Sequence, residues 1–182
     1  MTINKHTSLE ELAVLVSTAL TDAGIIATLS GGAAVSIYSN NAYESADLDF
    51  VTSEGNKTLA KVIGELGFTP FRGSRLFEHH DSEWLVEFPP GPLGFGDTIV
   101  DAKKLPLLGT PYGPLRIITP TLSILDRLAA YWYHSDNQTW DQALEVARHQ
   151  AIDWDYVYAW AKNEKQSKEE IDKLKKLSEA AP

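Results

Sequence analysis

The hydrophobic positions near the start of the chain recur with the period of a helix. Ser8 and Glu11 have the spacing of a capping box, and Gly24 stands where a helix stop is expected. Apolar side chains recur between them every three to four residues, at Leu12, Leu15, Val16, Ala19 and Leu20. The pattern predicts a helix over residues 9–23.

A short apolar run follows this helix and ends in two glycines. Residues 25–29 are mostly apolar and lead into Ser30, Gly31 and Gly32, and mainly small and apolar residues continue over residues 33–38. A short apolar run bounded by glycine is typical of a strand, and the segment after the turn has the composition of a short helix. We expect a strand, a glycine turn and a helix in this order.

In the next segment, residues 46–52, apolar and acidic side chains alternate. Leu48 and Phe50 fall on one side of an extended chain, whereas Asp47 and Asp49 fall on the other. The alternation predicts a strand that carries two carboxylates on one face.

Weaker patterns predict the remaining elements of the first two thirds of the chain. The segments rich in glycine and proline at residues 91–96 and 109–114 are typical of loops. A helix is predicted at residues 58–66, and short strands are predicted at residues 68–71, 76–79, 84–88, 98–100 and 115–118.

The last third of the chain is predicted to be helical. Thr119 and Pro120 form a cap with a proline at the first helical position, and the apolar period continues this helix to about His134. Three further N-caps are predicted, at Asp136, Asp153 and Ser167. The expected fold class is α+β, with a small mixed sheet flanked by helices over residues 1–118 and a C-terminal helical subdomain over residues 119–182.

Composition and charge narrow the function classes. The chain has 182 residues, with 16 Lys and Arg against 25 Asp and Glu, and its formal net charge of −9 argues against broad, nonspecific nucleic-acid binding. It contains no cysteine, so disulfides, thiolate metal sites and cysteine nucleophiles are excluded. No run approaches the roughly 18 apolar residues of a membrane span, and we expect a cytoplasmic protein with no membrane partner.

The two carboxylates of the alternating strand indicate a metal site. Side chains at positions i and i+2 of a strand share a face, so Asp47 and Asp49 repel each other unless a cation lies between them. Mg²⁺ prefers a few carboxylates together with phosphate oxygens of a substrate, and a glycine turn at a helix start offers N–H groups to such phosphates. For the two aspartates alone, simple solvation of an exposed strand face is the alternative.

Taken together, the glycine pair and the two aspartates resemble the signature of a known superfamily. Gly31-Gly32, followed by Asp47 and Asp49 on the next strand, is similar to the motif of the nucleotidyltransferase superfamily, whose fold is shared by DNA polymerase beta and the aminoglycoside nucleotidyltransferases. The resemblance implies a third acid on a neighbouring strand, and Glu87 in an apolar strand fits this place. It also implies a two-metal site, in which Asp47 and Asp49 bind both Mg²⁺ ions and Glu87 binds mainly the one that activates the attacking hydroxyl.

The same resemblance implies the nucleotide-binding residues and the reaction. The Ser30 hydroxyl and the backbone of Gly31 and Gly32 would hold the β- and γ-phosphates of a nucleoside triphosphate such as ATP. We therefore expect Mg²⁺-dependent transfer of a nucleoside monophosphate from the triphosphate to an acceptor hydroxyl, with release of pyrophosphate.

The helical part resembles, less specifically, the branch of abortive-infection and toxin-type nucleotidyltransferases and their uncharacterised bacterial relatives. In that branch a proline-started helix carries a basic residue and the next helix carries an acid, which correspond here to Arg127 and Asp141. Arg127 would clamp the phosphates of the nucleotide with its planar, permanently charged guanidinium. The alternative is a salt bridge between helices, from Arg127 to Asp141 or Glu145.

The sequence leaves the acceptor open among a small molecule, a tRNA or other RNA end, and a protein. Two other classes of function stay open as well. One is a degenerate nucleotidyltransferase fold that only binds a nucleotide or a protein. The other is the toxin component of a toxin–antitoxin pair, whose partner would be an antitoxin-like protein.

Overall fold

The first helix begins where the capping box predicts, in a computed structural model that describes residues 3–180. Helix α1 spans Leu9–Asp22, and the hydroxyl of Ser8 accepts the backbone N–H of Glu11. This bond satisfies one of the N–H groups that have no partner within the first turn of a helix.

The predicted strand, glycine turn and helix also form. Strand β1 spans Thr28–Ser30 and leads directly into helix α2, which spans Gly31–Tyr38. Gly31 has a φ of +66°, a conformation that glycine adopts without steric cost, and this allows the strand to turn into the helix within one residue.

The strand in which acidic and apolar residues alternate belongs to a mixed sheet of five strands. Its strand order is β1-β2-β5-β4-β3, with β2 and β5 parallel and the other neighbours antiparallel. The remaining elements of this part are β2 (Asp47–Val51), α3 (Asn56–Gly64), β3 (Thr69–Pro70), β4 (Leu76–Glu78) and β5 (Leu85–Glu87). In β2 the side chains of Leu48 and Phe50 are fully buried, whereas Asp47 and Asp49 are half-buried.

Two small hairpins overlap the strands predicted at residues 98–100 and 115–118, which therefore form in part. The hairpins also extend into the segments predicted as loops, residues 91–96 and 109–114, so the loop prediction is wrong in part. Strands β6 (Gly94–Phe95) and β7 (Thr98–Ile99) form the first hairpin, and strands β8 (Leu107–Thr110) and β9 (Gly113–Arg116) form the second. A Cβ at Gly94 would lie 2.9 Å from the carbonyl oxygen of Thr98, so the glycine is what lets the two short strands approach each other. Glycines interrupt the first hairpin, and glycine and proline interrupt the second, which hides the alternation that strand prediction needs.

Four helices complete the chain. They are α4 (Pro120–His134), α5 (Gln138–His149), α6 (Trp154–Asn163) and α7 (Lys168–Glu179). The hydroxyl of Thr119 and the carboxylate of Asp153 accept first-turn N–H groups of α4 and α6, as predicted.

Two of the predicted caps differ in detail. Asn137 occupies the N-cap position of α5, one residue after the predicted Asp136, whose carboxylate still accepts the N–H of Gln138. Ser167 occupies the N-cap position of α7, but its hydroxyl donates to the carboxylate of Glu169 and accepts no first-turn N–H.

The expected α+β fold class is confirmed by seven α-helices and a small mixed sheet within residues 3–180. Helices α4 and α5 of the C-terminal part both pack against α2, so the helical segment lies next to the glycine turn. The terminal residues 1–2 and 181–182 of the two predicted segments lie outside the described range. In that range no helix is both long and apolar enough to cross a lipid bilayer.

Candidate active site

Strand register aligns three polar residues across the sheet. Asp49 of β2 pairs with Ser30 of β1 on one side and with Glu87 of β5 on the other. Residues paired in this way direct their side chains to the same face, and Asp47 shares that face because it lies two positions from Asp49. The fold thus brings the glycine turn and all three predicted acids to one place.

The three carboxylates form a close cluster. Each of Asp47, Asp49 and Glu87 offers an oxygen atom, and these three atoms all lie within 4.8 Å of one another. All three side chains are half-buried. At this separation and burial, three negative charges repel one another strongly.

Burial and neighbouring charges raise the pKa of Asp49. Burial is the largest cause that raises the pKa of its carboxyl, to about 7, and the charge of Asp47 is the next. Glu87 and Asp126 raise this pKa further, whereas the positive charge of Arg127 lowers it. Near neutral pH the carboxyl of Asp49 is therefore easily protonated, and a nearby cation would favour its charged form.

The donor set fits a hard divalent cation. Three carboxylate oxygens on one sheet face are the type and number of protein ligands that Mg²⁺ takes, with water and phosphate oxygens completing its coordination. The hydroxyl of Ser45 lies 3.2 Å from Oδ1 of Asp47 and 3.0 Å from the Asp47 carbonyl oxygen, so this aspartate is held in place from behind. No periodic signal in the sequence marks Ser45 as part of the site.

Gly31 of the turn lies against Asp49, and Gly32 lies against Ser45. A Cβ at Gly31 would collide with the carboxylate of Asp49, and a Cβ at Gly32 would lie 2.7 Å from the hydroxyl of Ser45, which contacts Asp47. Any side chain at either position would push α2 away from the acids. The N-terminus of α2 therefore approaches the carboxylates as closely as its backbone allows.

Ser30 lies at the N-cap of α2, but its side chain does not cap the helix. Its hydroxyl donates to the carbonyl oxygen of Asp49 at 3.4 Å. The first-turn N–H groups of a helix have no carbonyl partner within the helix. In α2 the first of them, that of Gly31, donates to a carboxylate from a distant part of the chain, Oδ2 of Asp126 at 3.0 Å.

Arg127 is held by two partners on its own helix and the next. Its Nη2 donates to Oδ2 of Asp126 at 2.8 Å, and its Nη1 donates to Oε1 of Gln142 at 3.0 Å. Its Nε is buried and has no hydrogen-bond partner among the described residues. The predicted alternative, a salt bridge to Asp141 or Glu145, is not what the structure shows, because Arg127 pairs with Asp126 instead.

Asp141 lies apart from the carboxylate cluster. Its side chain is exposed and lines a small cavity of about 200 Å³ together with Tyr43, Gln138 and Glu145. Its neighbour Gln142 is the residue of α5 that reaches Arg127. The structure thus brings Ser30, Gly31 and Arg127 close to the acids but does not bring Asp141 to them.

A larger cavity opens beside Arg127. It has a volume of about 440 Å³ and lies between the β6–β7 hairpin and α4. Asp126, Arg127, Tyr133 and His134 supply its polar lining, and the loop at Gly94–Gly96 supplies the opposite wall. A space of this size beside a guanidinium can hold part of a charged small molecule.

The known proteins to which the chain is similar are found among solved structures. No protein-family model matches the sequence, and no curated protein matches it. Among solved structures, the chain is similar to a solution structure of the antibiotic-resistance factor ANT(2'')-Ia, with a TM-score of 0.49 and 13% identity over 93% of this chain and 90% of that one. It is similar to the same degree to a crystal structure of ANT(2'')-Ia in complex with adenylyl-2''-tobramycin, over 94% of this chain and 97% of that one.

Proposed function

We propose that the protein is a Mg²⁺-dependent nucleotidyltransferase, which transfers a nucleoside monophosphate from a nucleoside triphosphate to an acceptor hydroxyl. The observation that carries the proposal is the convergence of Asp47, Asp49 and Glu87 beside the N-terminus of a helix that starts with two glycines. A cluster of acids next to an anion-binding helix start suits a ligand that carries both a divalent cation and phosphates. A magnesium-bound triphosphate has both.

The chain's residues divide the work by charge. Asp47, Asp49 and Glu87 would hold the cation, and when bound Mg²⁺ supplies positive charge to the phosphates and favours loss of the acceptor's proton. Gly32 would offer its first-turn N–H to a phosphate oxygen, together with the hydroxyl of Ser30. Arg127 would offset the negative charge that builds up on the leaving pyrophosphate.

The reaction balances without any further reagent. The acceptor oxygen forms a bond to the α-phosphorus, and the bond from this phosphorus to the bridging oxygen of pyrophosphate breaks. The acceptor's proton leaves to a carboxylate of the cluster or to water. The helical segment from residue 119, which we propose as a distinct subdomain, would supply one wall of the cleft through α4.

A second candidate function is a module that binds a nucleotide without transferring it. The contact of Asp126 with both Gly31 and Arg127 favours this candidate, because one of the N–H groups at the helix start and part of the guanidinium already have a carboxylate partner. Both candidates use the same site, but only the nucleotidyltransferase would release pyrophosphate and transfer the nucleotide.

The experiment that separates them follows pyrophosphate release and label transfer. The purified protein is incubated with Mg²⁺ and each of the four nucleoside triphosphates, alone, with total tRNA and with a panel of polyhydroxylated amines. The negative control is the double variant Asp47→Asn/Asp49→Asn, and the matched control is Asp81→Asn, which neutralises an exposed acid away from the cluster.

Release and transfer that the double variant loses and the Asp81→Asn variant retains would support the nucleotidyltransferase. The acceptor that takes up the label would define the substrate class. Nucleotide binding without pyrophosphate release under every condition would favour the binding module. Equal turnover by the wild type and the double variant would refute the site.

A further inference from the structure

One carboxylate oxygen joins the glycine turn to the arginine. Oδ2 of Asp126 accepts the backbone N–H of Gly31 at 3.0 Å and the Nη2 of Arg127 at 2.8 Å. Gly31 and Asp126 lie 95 positions apart in the sequence, so this contact ties the C-terminal helices to the sheet part. The side chains of Asp126 and Arg127 are only 19% and 13% exposed, which shields the pair from competing water.

This contact lies next to the acidic cluster. A Cβ at Gly31 would strike the carboxylate of Asp49, so Gly31 has Asp49 on one side and its N–H directed to Asp126 on another. A fourth carboxylate this close to three others adds electrostatic repulsion. A neutral side chain could accept the Gly31 N–H without that cost.

Two hydrogen-bond donors, the Gly31 N–H and the Arg127 Nη2, stabilise the negative charge of Asp126. A helix N-terminus favours an anion, and a charge-assisted bond to a guanidinium is about twice as strong as a neutral hydrogen bond. Gln142, which is buried, holds the other terminal nitrogen of Arg127 through its Oε1 at 3.0 Å. The guanidinium is therefore fixed from both ends, and its orientation relative to the glycine turn depends on Asp126.

We propose that Asp126 is a positioning residue for the nucleotide site: it holds the Arg127 guanidinium at a fixed place relative to the Gly31–Gly32 turn. The proposal rests on the proposed function, since it gives Arg127 and the turn a shared ligand, the triphosphate. Asp126 itself touches no substrate. It keeps the two phosphate-binding elements, which come from different parts of the chain, in fixed positions relative to each other before the nucleotide binds.

The kinetic test compares two variants of Asp126 with the control Asp81→Asn. Asp126→Ala removes the bridge and should raise the KM for the magnesium-bound triphosphate about tenfold while lowering kcat less, since the loss of a charged hydrogen bond weakens nucleotide binding. Asp126→Asn keeps an oxygen acceptor for the Gly31 N–H and should recover part of this loss. A folded Asp126→Ala protein with an unchanged KM would overturn the proposal, and so would a lower KM, which would mean that the carboxylate competes with a phosphate.

A second measurement does not depend on turnover. In the NMR spectrum of the nucleotide-free protein, Asp126→Asn should shift the signals of the Gly31 amide and the Arg127 guanidinium together, because Oδ2 of Asp126 accepts both the Gly31 N–H and the Arg127 Nη2. The guanidinium signal of Arg148, which pairs with Glu145 on the outside of α5, serves as the control and should stay in place. If neither signal of the pair moves, the positioning role is refuted.

The two measurements also separate this proposal from the proposed function. A wild-type protein that transfers no nucleotide under any condition contradicts the function, whereas the coupled NMR shift still decides whether Asp126 positions Arg127. An active wild type with unchanged kinetics in both Asp126 variants contradicts the positioning role alone.

Discussion

The substitution Asp49→Asn should stabilise the metal-free protein at pH 8. Burial, followed by the charges of Asp47, Glu87 and Asp126, raises the pKa of the Asp49 carboxyl from its ordinary value of 3.8 to about 7. A group whose pKa is higher in the folded state binds its proton more tightly there, so stability is lost as the pH rises between these two values. Asparagine has nearly the same shape and cannot ionise, so the variant escapes this loss.

The magnitude follows from the size of the pKa difference. A rise of about 3 pKa units at about 1.4 kcal/mol per unit gives an upper limit of about 4 kcal/mol above pH 7. Because water still reaches the half-buried cluster and screens its charges, we expect about 2 kcal/mol. For a chain of this length this corresponds to a rise in Tm of roughly 4–8 °C.

The assay is thermal unfolding in a chelator between pH 4 and pH 8, with Asp81→Asn as the matched control. The advantage of Asp49→Asn should shrink as the pH falls from 7 and should be small at pH 4, which lies close to the lower of the two pKa values. Millimolar Mg²⁺ at pH 8 should raise the Tm of the wild type more than that of the variant. A Tm difference that does not change with pH, or a less stable Asp49→Asn protein at pH 8, would refute the reasoning from charge crowding.

Three further predictions concern the same site. Glu87→Gln should lower turnover by about a hundredfold or more in a steady-state assay. The control Glu83→Gln changes an exposed neighbour and should leave turnover unchanged. Similar turnover by both variants would contradict the role of Glu87. Gly31→Ala should lower the free energy of unfolding, measured in urea, by about 1–3 kcal/mol, because the residue has a positive φ and its Cβ would strike Asp49. The control Gly109→Ala should lower it much less, because nothing lies within 4 Å of a Cβ at that position. Arg127→Lys keeps the charge but loses the planar guanidinium, so the KM for the triphosphate should rise about tenfold. The control Arg148→Ala should leave this KM unchanged. Equal KM values for the two variants would argue against a phosphate clamp.

The sequence predicts those parts of the fold and site that local patterns determine. The alternation of Asp47 and Asp49 with Leu48 and Phe50 places two acids on one strand face, and this needs no knowledge of the rest of the fold. The capping box at Ser8 and the proline at the start of α4 are equally local. Each of these signals lies within a few residues of the structure that it predicts.

Other parts depend on pairings between distant segments. Glu87 pairs with Asp49 because of the register between β2 and β5. The apolar pattern of one strand does not reveal its register with another strand. The hairpin at Gly94–Ile99 has two-residue strands, too short for any alternation to be seen. Asp126 was missed for the same reason, because its helical position identifies its neighbours on α4 but not the packing of α4 against α2.

The metal-free site is electrostatically unfavourable, and its surroundings prevent it from relaxing. Four carboxylates act on the same small region, and the positive charge of Arg127 lowers the pKa of Asp49. Solvent-exposed acids can rotate away from one another, but here Ser45 holds Asp47 and the close approach of Gly31 confines Asp49. A rigid cluster with excess negative charge gains the most from a divalent cation, because the cation removes the repulsion without any rearrangement of the protein. The stability measurements with and without Mg²⁺ therefore test the chemistry of the site directly, before any substrate is known.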